Sequence, residues 1–221
     1  RRATKETTIE VRVDLDAPWL ESDAPSGGGS VWTGQVMTAT KLRASVQSMS
    51  RIATGIDVLD RVLLAMSKAA GIEMVVHCEG DRHIDDHHTA EDVAITLGQC
   101  LHEALGDKAG LARMGCAEDK HSSARVRAVL DLSNRPHFES DLPLDEEYVG
   151  AAFEIGCQEG DAHEVLPGDL CGGVLSCEML HHVFNSLTLE MRSTCHLEVR
   201  EDTGASGHTL DLALAAASAY G

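Results

Sequence analysis

The chain is 221 residues long, enough for one large domain or two small ones with a substantial core. Its formal charge of -18 argues against binding bare nucleic acid or an anionic membrane, since both need a basic surface. Aromatics make up only 3% of the residues, so the core is expected to consist of Leu, Val, Ile, Ala and Met. No apolar run reaches the ~18 residues that a transmembrane helix requires.

In chain order, Thr7 to Leu15 alternates polar and apolar residues and reads as a half-buried strand. Residues 16–50 carry Pro18, Pro25 and the run Ser26-Gly-Gly-Gly-Ser30, and are expected to form a long insert, either a solvated loop or a partner-binding element. Ile56 to Ala70 places Ile56, Leu59, Val62, Leu63 and Met66 at helical spacing, and Gly71 is the expected C-terminal cap. A strand over 72–78 follows, then a helix over 89–105, a strand over 126–132 and a turn at Ser133-Asn-Arg-Pro136. Residues 154–176 are Gly-rich and irregular. A helix over 179–191, a strand over 196–199 and an Ala-rich packing helix over 209–220 complete the chain.

The order repeats. Helix 56–70, strand 72–78 and His87-His88-Thr-Ala-Glu91 match helix 179–191, strand 196–199 and Gly207-His208-Thr-Leu-Asp211. The expected fold is α+β, two repeated halves that each form a small sheet with helices on one face. Their expected extents are 1–150 and 151–221, within one compact domain. Seven scattered cysteines without a CxxC pair point away from a disulfide framework and towards a reducing compartment, whether cytoplasm, mitochondrion or plastid. No signal peptide is read at the start. A beginning at Arg1 without Met is expected where an N-terminal extension is removed or lies outside this sequence.

The strongest local signal is His83-Ile-Asp-Asp-His-His-Thr-Ala-Glu-Asp92, with three imidazoles and four carboxylates and no Lys or Arg. Neutral imidazole and carboxylate are ligands for divalent transition metals. On a helix starting near Asp86, His87 and His88 lie four and three residues before Glu91, so all three share one end. The alternative is a metal-free cluster at a helix start capped by Asp85 or Asp86.

Several segments in order carry a resemblance: Arg2-Ala-Thr-Lys-Glu6-Thr7, Gly80-Asp81, Asp85-Asp-His-His-Thr-Ala-Glu-Asp92, Glu103-Ala-Leu-Gly-Asp-Lys108, Gly110-Leu-Ala-Arg113 and Leu130-Asp-Leu-Ser-Asn-Arg-Pro136. Together they resemble the imidazoleglycerol-phosphate dehydratase family, lyases of histidine biosynthesis. The resemblance implies a pair of ferredoxin-like repeats, assembly into trimers and then a closed shell, and two manganese ions bound between subunits. It implies metal ligands at His87, His88, Glu91, His182 and His196, a catalytic carboxylate at Glu6, and contacts to the substrate phosphate from Arg113 and Arg135.

The sequence departs from the family pattern at Arg61, Ala70, Ser123, Gly207, Asp211 and Ala215, where ligand, catalytic or phosphate-binding residues are replaced. A fixed guanidinium about 4 Å from a divalent ion would cost roughly 8 kcal/mol at an effective dielectric near 20. These losses lead to the expectation of a catalytically inactive homologue serving as a structural or interaction subunit in a homo- or hetero-oligomer. Manganese is then confined to a residual site or absent. An active manganese-dependent dehydratase with a rearranged or shared site is the first alternative, and a phosphate-ester binding module the second. Blander roles also stand for the single residues. Arg113 and Arg135 could be ordinary ion pairs, His182 and His196 buried or interface histidines, and Glu6 a strand-edge carboxylate.

Overall fold

The computed structural model describes residues 1–4, 7–16, 51–80, 86–150, 174–202, 204 and 208–221. Glu6 and Gly207 lie outside them, as do nearly all of the expected inserts 16–50 and 154–176.

The first half contains β1 (Arg2–Ala3), β2 (Thr7–Asp14), β3 (Arg51–Ala53), α1 (Asp57–Ala70), β4 (Glu73–Gly80) and α2 (His87–Leu105). The second contains β5 (Met114–His121), β6 (Ala124–Asp131), β7 (His137–Ser140), α3 (Cys177–Glu190), β8 (Thr194–Asp202) and α4 (His208–Tyr220). Two four-stranded sheets result, ordered β1-β2-β4-β3 and β5-β6-β8-β7. The pairing senses match between them: the first two ladders of each sheet are antiparallel, and the β3–β4 and β7–β8 ladders are parallel. The expected α+β repeat is therefore present. The change of sheet falls between Leu105 and Met114 rather than near residue 150. The helices match between the two halves, but β5, which opens the second sheet, carries no such signal.

β5, β3 and β7 escape a sequence reading for a physical reason. All eight residues of β5 are exposed, so no alternation of polar and apolar residues marks it. The three-residue β3 and four-residue β7 are too short to show a period.

Helices cover one face of each sheet. α2 packs on β2 and β4, and α4 packs on β5 and β6. Ile9, Met74 and Val76 point into the helix layer of the first sheet, and Val126, Ala128 and Leu197 into that of the second. The two helix layers also pack on each other, α2 on α3 and α1 on α4, and form one continuous core between the sheets. Gly98 marks a close approach of α2 to α3, where an added Cβ would lie 2.7 Å from Glu190 Cβ and 2.8 Å from the Leu187 carbonyl oxygen. Asp92, near the start of α2, fastens the N-terminal strands by accepting a hydrogen bond from Thr7 Oγ1 at 2.6 Å and pairing with Arg2 Nη2 at 2.8 Å.

Candidate functional site

The two long helices of the α2–α3 pair start together. The Asp86 carboxylate accepts a 2.6 Å hydrogen bond from the backbone N–H of Ser176, the residue that caps α3. Asp86 stands at the N-cap position, but its side chain makes no capping hydrogen bond to its own helix, contrary to the capping role the sequence offered; it ties the start of α2 to the start of α3. The helices then run in the same direction, which carries His87 towards His182. Their ring centroids are 6.0 Å apart, and the His87 and His88 rings are also 6.0 Å apart, edge to face. One turn on, Glu91 Oε2 lies 3.8 Å from His87 Nε2. His87, His88, Glu91 and His182 thus meet at one end of a helix pair, although His182 lies far along the chain. Imidazole nitrogens and a carboxylate are the right donors for a divalent transition metal. Among the described residues, no three such groups converge tightly enough to enclose an ion.

His196 does not join them. On β8 the buried Cys195 and Leu197 face the helices, so the exposed His196 lies on the opposite face of the sheet. Its ring sits 5.6 Å from that of His137. Arg113 and Arg135, in contrast, do come together. With Asp107, Lys108, Ser133 and Asn134 they line a hollow of about 390 Å³ in which cationic side chains outnumber the one carboxylate. Arg113 Nε also pairs with Asp131 Oδ1 at 2.9 Å, as its acidic surroundings suggested.

A larger cleft of about 850 Å³ adjoins the histidine pair, lined by Asp86, Glu146, Glu147, Glu178, His181 and His182 among others. Its carboxylates suit a cationic or metal-bearing group and would repel a phosphate. Cys177 also lines it, but burial and the charges of Glu146 and Asp145 push its thiol up to about 11. A thiol so raised is protonated at neutral pH and is a weak nucleophile. Glu146, Glu147 and Glu178 were not read from the sequence, because their only signal was a generally acidic composition.

The departures from the family pattern have local explanations. Arg61 lies on the exposed side of α1 and Ala215 is fully buried in α4, while Ala70 closes α1 beside the Gly71 cap. Water around Arg61 screens the charge that motivated the large repulsion estimate. The motif at the start of α4 is absorbed by hydrogen bonds. His208 lies 3.4 Å from Asp145 and 3.7 Å from Glu146, and Thr209 donates to Glu146 and accepts from the Gly150 N–H. Asp211 accepts from Ser123 Oγ at 2.7 Å and Ser123 N at 3.2 Å, and lies 3.0 Å from His121 Nδ1. Burial would raise its carboxyl, but donation from Ser123, His121 and Ser122 outweighs that and holds it below the usual range.

Comparison with known proteins agrees with this architecture. The family model described as imidazoleglycerol-phosphate dehydratase matches residues 54–220. The imidazoleglycerol-phosphate dehydratase of Trichoderma harzianum is 36% identical over 89% of this chain and 81% of its own length. That of Pyricularia oryzae is 37% identical over 89% of this chain and 76% of its own. The crystal structure of the Staphylococcus aureus dehydratase superposes with a TM-score of 0.60 at 25% identity, covering 79% of this chain and 85% of that one. Relatives this similar over most of the chain bear the name of an enzyme, which overturns the expectation of a catalytically inactive subunit. The chain belongs to the imidazoleglycerol-phosphate dehydratase family.

Proposed function

We propose that this chain is a lyase that removes water from imidazoleglycerol phosphate in histidine biosynthesis, using a rearranged metal site. The observation that carries this reading is the meeting of His87, His88 and Glu91 with His182 beside an acidic cleft. These residues would hold a divalent ion such as manganese, and their neutral imidazoles and single carboxylate fit it chemically. When bound, that ion supplies Lewis-acid polarisation and eases ionisation of the substrate imidazole.

The chain offers the substrate two environments, which lie at opposite ends of the α2–α3 helix pair and so would meet around one substrate only where two copies of the chain adjoin. The carboxylate-lined cleft receives the imidazole end and disfavours the phosphate. The hollow of Arg113 and Arg135 receives the phosphate, where guanidinium forks give short, charge-assisted bonds. Anchoring of the phosphate in that hollow contributes binding energy to the substrate complex. His196, on the far face of its sheet, contributes in this scheme only to a site shared with a second copy, as an oligomer would provide.

The test is turnover of imidazoleglycerol phosphate by the purified chain with manganese, with a chelator, and as His88→Ala. Metal-dependent dehydration that is lost in the variant supports the reading. Tight binding of the phosphate ester without any dehydration would replace it with a binding module.

A further inference from the structure

The basic hollow is held in shape by a residue that has no free donor left for a ligand. Lys108 Nζ donates to Asn134 Oδ1 at 2.9 Å, to the Met191 carbonyl at 3.1 Å and to the Arg192 carbonyl at 3.2 Å. An ammonium has three N–H groups, and these three acceptors use all of them. The acceptors come from two separate stretches of chain: the turn that carries Arg135, and the end of α3. Lys108 itself belongs to a third, the turn between α2 and Arg113.

Each stretch contains a non-glycine residue in the left-handed region. Lys108 has φ 60°, Asn134 φ 59° and Arg192 φ 55°. Asparagine tolerates that conformation, but lysine and arginine adopt it at a cost. Such outliers persist where surrounding contacts over-determine them. Here the contacts converge on one ammonium. The backbone completes the frame: Leu132 N donates to the Arg113 carbonyl at 2.8 Å, and Thr194 Oγ1 donates to the Arg135 carbonyl at 2.7 Å. Ser133 Oγ lines the same hollow, buried and without a partner among the described residues. Partial burial and the nearby Arg192 charge lower the Lys108 pKa.

We propose that Lys108 is a positioning residue for the substrate phosphate: it clasps the Asn134 turn to the end of α3 and so holds Arg113 and Arg135 on one hollow. This rests on the reading that the hollow takes the phosphate. The clasp acts on the phosphate end alone, so its loss raises the substrate KM and leaves kcat near its original value.

The experiment uses the full chain as Lys108→Met, Asn134→Ala, the double variant and Arg135→Ala. It measures KM and kcat for imidazoleglycerol phosphate, and the Kd for inorganic phosphate by calorimetry. Lys108→Met is expected to raise KM and the phosphate Kd together by about tenfold, a loss typical of misplaced binding groups, with kcat within about twofold. Asn134→Ala shifts both constants in the same direction by less, and the double variant adds nothing to Lys108→Met, because the two residues act as a unit. If Lys108→Met fails to fold, Asn134→Ala carries the same comparison. Unchanged constants in the clasp variants, alongside raised ones in Arg135→Ala, would overturn the clasp and leave the phosphate site standing. Unchanged constants in Arg135→Ala as well would overturn both. A lower melting temperature with unchanged KM and phosphate Kd reduces Lys108 to a structural role and overturns the proposal.

Discussion

The starts of α2 and α4 occupy equivalent positions in the two halves and have met different fates. At the start of α2, His87 and His88 are exposed, Glu91 is partly so, and the group faces His182 and a wide cleft. At the start of α4, His208, Thr209 and Asp211 are engaged by Asp145, Glu146, Ser123 and His121. The two halves share a topology, but only one keeps its polar helix end open to a ligand. Function in such a repeat resides in side chains at helix ends, which can change without disturbing the sheets that position them.

This contrast can be broken most decisively at His88. His88→Ala is expected to lower turnover by about 100-fold or more, whereas His208→Ala, in the engaged half, stays within about threefold. Turnover assays on the two variants measure the asymmetry, and equal losses would remove it. Next in size, Arg113→Ala and Arg135→Ala are each expected to cost about 1.5–3 kcal/mol of substrate binding through lost charge-assisted hydrogen bonds. This is read as a raised KM at constant ionic strength.

Smaller effects sharpen the frame beneath the site. Gly98→Ala forces a Cβ against the Leu187 carbonyl and Glu190, and is expected to destabilise the fold by about 1–3 kcal/mol in denaturant melts. The better helix propensity of alanine offsets at most about 1 kcal/mol of that. A result near zero would show that the α2–α3 contact yields easily. Last, Asp211→Asn is expected to cost about 1 kcal/mol at neutral pH. The folded carboxyl of Asp211 lies below its ordinary value, so its contribution is present above the usual carboxylate range and fades as pH falls through the folded pKa. The gap between wild type and variant therefore narrows below about pH 4, and a gap that widens there would contradict the assignment.

Much of the fold was legible in the sequence. α1 and its Gly71 cap follow from helical spacing and the left-handed φ of 66°. β2, β4, α2, α3 and α4 follow from period and length. The exposed β5 and the very short β3 and β7 gave no period, so the change of sheet ahead of β5 was not legible in the sequence. At the site, His87, His88 and Glu91 were legible because they are close in sequence. The meeting with His182 depends on the parallel run of two helices, which local pattern does not encode. His196 was grouped with them by resemblance, and strand alternation puts it on the other face. The hydrogen bonds that occupy Asp211 come from the β5–β6 turn, so that position read as a loss when it is also a local anchor.

We propose that this chain, with an altered second motif, catalyses dehydration through the His87–His88–Glu91–His182 end of the helix pair. The most direct test is single-turnover dehydration of imidazoleglycerol phosphate by the purified chain, with metal content measured on the same sample. Bound divalent metal is expected, with turnover that a chelator abolishes and manganese restores. Metal-free protein that leaves the substrate unchanged after manganese is added would contradict it.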